Sequence, residues 1–317
     1  MFMREQKRLA LRLLSSAVLV VIGTSCDRKH PVEPTPDTTY HIEVRFYGPE
    51  PNAQVRAAFE NARLRIESII SADLPPTRVN KVNLTDTATC GVPATVDETI
   101  DDLVIYATVK TIDGVGKVAA SSGPCLVRST TKLPALGKME MDADDLNALA
   151  TSGRLNAVVL HEMLHVLGFG TIWDQVSPAR LTGAGGNDPR FSGPQAIQAC
   201  TAAGGSVICA AGVPVENCAG IPNCGGGTRD SHWRESTFRT ELMTGFIETA
   251  NVPMPLSAIT IQSFADLGYS VNAAGADTYK IPGTAIRFVE TESYQPWEST
   301  RRPSLQVSSD GSVSAYR

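Results

Sequence analysis

One short run in the middle of the chain, His161-Glu162-Met163-Leu164-His165, restricts the fold more than any other feature. It sits inside the apolar stretch 155–167, and Gly168 follows three residues after the second histidine. An α-helix has 3.6 residues per turn, so residues four apart share a face. On a helix the two imidazoles stand one turn apart, where they can grip one zinc ion with Glu162 beside it as a general base. Val159, Leu160, Met163 and Leu167 cover the other faces, so such a helix has to be largely buried. Gly168 and Gly170 stop it. A catalytic zinc takes three protein ligands and leaves a fourth position open. The chain must therefore bring a third ligand from elsewhere.

Three histidines remain. His30 lies in a polar stretch with Pro31, Pro34 and Pro36, and His41 falls on the outward face of a strand pattern. His232 lies in Asp230-Ser231-His232-Trp233-Arg234-Glu235, and Met243 follows in Glu241-Leu242-Met243-Thr244-Gly245. From the residues alone, His232 and a downstream glutamate both stand as candidates for the third ligand.

A glycine three residues after the second histidine is a metzincin feature. So is a methionine in a tight turn beneath the metal. In most metzincins the third histidine follows that glycine closely, but here residues 169–231 intervene. In this the chain resembles leishmanolysin. The likeness is close around His161-Glu162-Met163-Leu164-His165-Val166-Leu167-Gly168-Phe169-Gly170, then Ser231-His232-Trp233, then Glu241-Leu242-Met243, and it extends more loosely over 40–271. The resemblance implies that His161, His165 and His232 hold one Zn2+ per chain, that Glu162 is the base and that Met243 is the turn methionine. It also implies an α+β, metzincin-like zincin fold. An upper subdomain would carry a twisted mixed sheet and the zinc-binding helix, and a lower one would be loop-rich and stapled by disulfides. The activity implied is zinc-dependent endopeptidase action on proteins or peptides.

Neutral imidazoles leave most of the zinc charge uncancelled, which lowers the pKa of bound water towards about 7. Glu162 would take that proton during attack on a scissile carbonyl and hand it to the leaving amine. An edge strand above the cleft would pair with an extended peptide, and residues 134–141 are the expected strand. A surface binding or adhesion protein with a structural or vestigial zinc site is the alternative function. Glu162 argues against it, because a structural site needs no base.

The rest of the chain points to export. Arg4, Lys7, Arg8 and Arg12 precede a short apolar core at 13–22, so 1–25 reads as a signal peptide. Gly23-Thr24-Ser25-Cys26 resembles a bacterial lipoprotein processing site, with 26–39 as lipidated cysteine and tether. The expected location is extracytoplasmic, either membrane-anchored through Cys26 or secreted. Besides Cys26 there are six cysteines: Cys90, Cys125, Cys200, Cys209, Cys218 and Cys224. An even number in an exported chain suggests three disulfides. Their spacing favours Cys90–Cys125, with the other four pairing among themselves; a four-thiolate zinc site is the rival. The formal net charge is −5, and it grows more negative without the basic N-terminus, so nucleic acid is excluded as a partner. A monomer is expected.

Hydrophobic periodicity predicts a strand over 40–47, a helix over 52–71, strands over 103–109, 119–127 and 136–141, the metal-motif helix over 155–167, and a helix over 256–267. Asp142 is the expected cap of a helix following the 136–141 strand. The Gly- and Ala-rich stretch 182–227 reads as a disulfide-stapled loop region. Residues 40–170 and 171–290 are the expected N- and C-terminal parts of the catalytic unit, and 291–317 reads as a frayed tail or surface strand.

Overall fold

The structure is a computed structural model that describes residues 39–221, 224, 227–282 and 298–316. The expected export segment, Cys26, His30 and the tether through residue 38 lie outside the described residues. The first alternating run forms β1 (Ile42–Phe46). Helix α1 (Ala53–Ile69) follows, and the Asn52 side chain accepts the Val55 N–H at its start. That bond satisfies one of the first-turn donors that lack a helical partner. Val55, Phe59, Ala62, Ile66 and Ile69 recur at helical spacing and are all buried.

A hairpin that periodicity does not predict comes next, β2 (Thr77–Asn83) paired antiparallel with β3 (Thr95–Ile100). Few of its residues are buried, so it carries almost no hydrophobic alternation. Then come β4 (Leu103–Lys110), β5 (Ala120–Arg128) and β6 (Pro134–Asp142). A short helix α2 (Leu146–Thr151) leads to α3 (Leu155–Val166), which carries the metal motif.

The stretch read as loops holds more structure than expected. It contains β7 (Leu181–Thr182), β8 (Arg190–Phe191), α4 (Pro194–Cys200), a π-helical turn and β9 (Val213–Pro214). The three strands make a small antiparallel sheet. Helices α5 (Glu235–Phe238) and α6 (Ala258–Leu267) follow. Cysteines pair as Cys90–Cys125, Cys200–Cys209 and Cys218–Cys224, which leaves no thiolates for a four-cysteine zinc site. The C-terminal residues add β10 (Glu298–Thr300), β11 (Leu305–Val307) and β12 (Val313–Ala315).

Among the described residues the main sheet runs β1-β4-β6-β5-β11-β12, with β10 also beside β5. β1, β4 and β6 are parallel neighbours, and β5 runs antiparallel to β6. Side chains alternate across a strand, so β4 faces two cores. Leu103, Ile105 and Ala107 pack with α1 and α3, whereas Val104 and Tyr106 pack towards the β2–β3 hairpin with Leu126, Leu136, Leu305 and Val307. This is the α+β, metzincin-like architecture expected.

Two expectations need correction. The strand at 134–141 is not an edge: β6 is flanked by β4 and β5 and is buried along its whole length. Beyond β6 lies β5, and its far side is covered by β10 and β11 from the C-terminal segment. Of the two forms expected for 291–317, the described residues 298–316 form strands rather than a frayed tail, with Leu305 and Val307 buried in the second core. Asp142 does not cap a helix either; α2 starts after Asp145, without a side-chain cap bond.

Asp142 instead closes the β4–β5 connection. Its carboxylate accepts the N–H groups of Ile112, Asp113, Gly114 and Asp144. Burial pushes its pKa up, but these donors outweigh burial and hold it below the ordinary aspartate value. Stability from a depressed carboxylate is present above its unfolded pKa of about 3.9 and is lost as pH falls through the folded value. Asp142→Asn should therefore lower the unfolding free energy at pH 7 by about 1–3 kcal/mol. Chemical denaturation across pH should show wild type and variant converging below about pH 4; curves that stay parallel to pH 2 would refute the assignment.

Candidate active site

The metal-motif helix α3 delivers His161 and His165 one turn apart, and both are buried. His232 arrives from a loop far along the chain, and its neighbour Trp233 anchors it. The Trp233 N–H donates to the Met243 carbonyl at 2.9 Å, and the indole N–H donates to Thr260 Oγ1 at 2.8 Å. The indole packs among Phe169, Trp173, Phe191 and Phe238, with centroids 5.0–6.1 Å away. These rings come from the loop after α3, from β8 and from α5, so one aromatic cluster ties the third histidine to the helix that carries the first two. Gly170 lets the two loops meet, because a Cβ there would lie 2.1 Å from the Ser231 carbonyl oxygen.

The three Nε2 atoms converge. His165 Nε2 is 2.9 Å from both His161 Nε2 and His232 Nε2, and the latter two are 3.2 Å apart. Each ring's other nitrogen faces a backbone carbonyl: His161 Nδ1 lies 2.7 Å from Leu242 O, His165 Nδ1 2.8 Å from Phe169 O, and His232 Nδ1 3.0 Å from Thr228 O. A carbonyl only accepts, so these partners assign the proton to Nδ1 and leave the Nε2 lone pairs aimed at one another. Three lone pairs facing a common point repel unless a cation stands between them. Zinc at 2.0–2.1 Å from tetrahedral nitrogens needs N···N separations of about 3.3–3.4 Å, a few tenths wider than here. The residues present thus fit a zinc ion, with the fixed tautomers that ligating histidines require.

Glu162 lies between the two helical histidines in sequence and is fully buried. Met243 is also fully buried, in the turn that Glu241 organises. His41 takes no part: it is exposed and pairs with Glu67 at 3.1 Å. Among the described residues no downstream glutamate joins the histidine cluster as a ligand.

Sequence reasoning missed the supports beneath the site. Glu241 is 1% exposed, and its carboxylate accepts from Met243 N at 2.6 Å, Ser257 Oγ at 2.6 Å, Ser257 N at 3.1 Å and Thr260 Oγ1 at 2.6 Å. Burial pushes its pKa up against those donors. Through this carboxylate the start of α6, the Trp233 indole and the turn presenting the Leu242 carbonyl to His161 form one network. Glu241 stood in the motif Glu241-Leu242-Met243, but its role needed partners sixteen and nineteen residues away.

Buried histidines on a helical H-E-x-x-H turn, a third from a distant loop and a methionine turn, all within a mixed α+β fold, define a metzincin-like metallopeptidase. The sequence matches the leishmanolysin peptidase family over residues 77–281, about two thirds of the chain, and the protein belongs to that family of zinc-dependent peptidases. No curated protein matches the sequence.

The Glu241 network yields a test. In Glu241→Gln an amide N–H2 must replace one carboxylate oxygen, leaving at least one buried N–H or O–H facing another donor. Zinc affinity, measured by chelator competition, should fall about tenfold, with about 1–3 kcal/mol of lost stability. Unchanged zinc affinity would show that the network serves folding alone.

Proposed function

We propose that this member of the family is an endopeptidase in which His161, His165 and His232 hold the zinc and Glu162 is the general base. The observation that carries the proposal is the convergence of three Nε2 atoms whose Nδ1 partners are backbone carbonyls. When bound, zinc supplies Lewis acidity, polarising a peptide carbonyl and making water acidic enough to attack near neutral pH. The chain supplies the rest. Leu242, Phe169 and Thr228 carbonyls hold the imidazoles in one tautomer, so no ring has to reorient as charge develops. Glu162, buried on the metal helix, accepts the proton of the attacking water and returns it to the leaving amine. Substrates are proteins or peptides in extended form.

Hydrolysis of casein and zinc content, measured on wild type, Glu162→Ala and His232→Ala, test the assignment. Wild type and Glu162→Ala should each bind one zinc per chain, with hydrolysis at least about a hundredfold lower in the variant. His232→Ala should lose both. Zinc retained by His232→Ala would point to a different third ligand, and undiminished hydrolysis by Glu162→Ala would remove it as the base.

We also infer that the enzyme acts outside the cytoplasm, held to a membrane by acylation of Cys26. The support is the basic and apolar N-terminal pattern ending at that cysteine, together with three disulfides in the folded body. No described helix is long and apolar enough to cross a membrane. Intact mass of the membrane-extracted protein should show a chain beginning at an acylated Cys26, and Cys26→Ser should release it; an unmodified Cys26 would exclude the anchor.

A further inference from the structure

The histidine cluster poses an access problem. His161, Glu162, His165 and His232 are at most 2% exposed. Yet a general base works only within hydrogen-bond reach of the reacting groups. The chain's own C-terminal segment, which lies beyond the family match at 77–281, joins β5 to the loops before His232 and after α3.

On one flank the segment adds to the sheet. Glu298–Thr300 pairs parallel with residues 120–122 of β5, and the Arg301 N–H donates to the Ser122 carbonyl at 2.7 Å. The two backbones touch at Gly123, where a Cβ would lie 2.1 Å from the Arg301 carbonyl oxygen. On the other flank the segment holds the loops that build the metal site. Thr300 Oγ1 donates to the Gly227 carbonyl at 3.1 Å. That same carbonyl accepts from Ser231 Oγ, which lies 3.0 Å from His232 Nδ1. Arg302 pairs with Asp174 at 2.5 Å, in the loop after α3.

The segment has two unlike parts. Leu305 and Val307 are buried against the second core and form a permanent anchor. Residues 298–302 are held by polar contacts, and Ser299 and Arg302 are exposed. Exposed polar contacts open at far lower free energy than a core strand. Without residues 298–302, the backbone edge of β5 at 120–123 would present unpaired N–H and C=O groups, the template on which an extended polypeptide adds a strand.

We propose that residues 298–302 are an intramolecular strap. They occupy the outer edge of β5 and tie it to the His232 and Asp174 loops, and an extended polypeptide reaches the histidine site only by displacing them. The proposal rests on the peptidase reading. The strap competes as a strand, so it selects for substrates long enough to replace its backbone bonds along β5. β11 stays in place when the strap opens.

The test keeps the full chain and its anchor. Arg301→Pro removes the N–H given to Ser122, and Arg302→Glu turns the ion pair with Asp174 into a repulsion. The double variant is compared with wild type for casein hydrolysis. The same pair in the Glu162→Ala background is compared for binding of a fluorescent, extended casein-derived peptide. A site covered nine-tenths of the time weakens apparent affinity about tenfold. Both binding and kcat/KM should therefore rise about tenfold, with faster amide exchange over 118–124 and 298–302. Arg302→Glu alone, the milder change, should give a smaller rise in the same direction. Faster exchange with unchanged binding and hydrolysis would overturn the strap. A tenfold rise in binding with no hydrolysis by either chain would uphold the strap and refute the peptidase reading.

Discussion

The site depends on hydrogen bonds from three imidazole Nδ1–H groups to the carbonyls of Leu242, Phe169 and Thr228. Each bond fixes a tautomer and a ring plane, and together they aim three Nε2 lone pairs at one point. A carbonyl partner cannot supply a proton, so no ring can reverse its tautomer without losing a buried hydrogen bond. The three carbonyls belong to three separate loops. Much of the remaining structure can be understood as what keeps those loops still.

Two devices do this. The aromatic cluster of Phe169, Trp173, Phe191, Trp233 and Phe264 crosses between the loop after α3, the small sheet and α6. The Glu241 carboxylate then fixes the turn before Met243 against the start of α6. One is apolar and non-directional; the other is directional and fully buried. A loop-rich region with little regular structure is rigid here because both act on the same few residues around His232, with two disulfides closing the loops between β8 and that histidine.

The sheet has a different role. β6 is consumed as a central strand, which leaves β5 between it and the C-terminal strands β10 and β11. An open edge beside a proteolytic site is useful to a substrate and hazardous to a stable fold. As the proposed strap, the C-terminal segment meets both demands, with a buried anchor at Leu305 and Val307 and a polar stretch beside β5. Placing the anchor in the second core, away from α3, lets the polar stretch move without disturbing the metal helix.

The local pattern of this chain determined a good deal. The H-E-x-x-H spacing set the helix and two of the histidines, because helical periodicity is a property of adjacent residues. The runs forming β1, α1, β4, β5 and α6 were legible for the same reason, whereas cysteine spacing pointed to Cys90–Cys125 and left the pairing of the other four cysteines to the folded structure. The third histidine was legible only through likeness to a family, since nothing local connects His232 to His165. What the tertiary structure alone decided is everything carried by backbone groups or by contacts between distant segments. Any residue has a carbonyl, so Leu242, Phe169 and Thr228 leave no mark in sequence. Glu241 and Asp142 look like ordinary acids until burial and converging donors give them roles. Strand order is likewise invisible to periodicity, which reports that β6 and β5 are strands but not which lies outside. Alternation is a local property of the chain, whereas an edge exists only relative to neighbours brought together by folding.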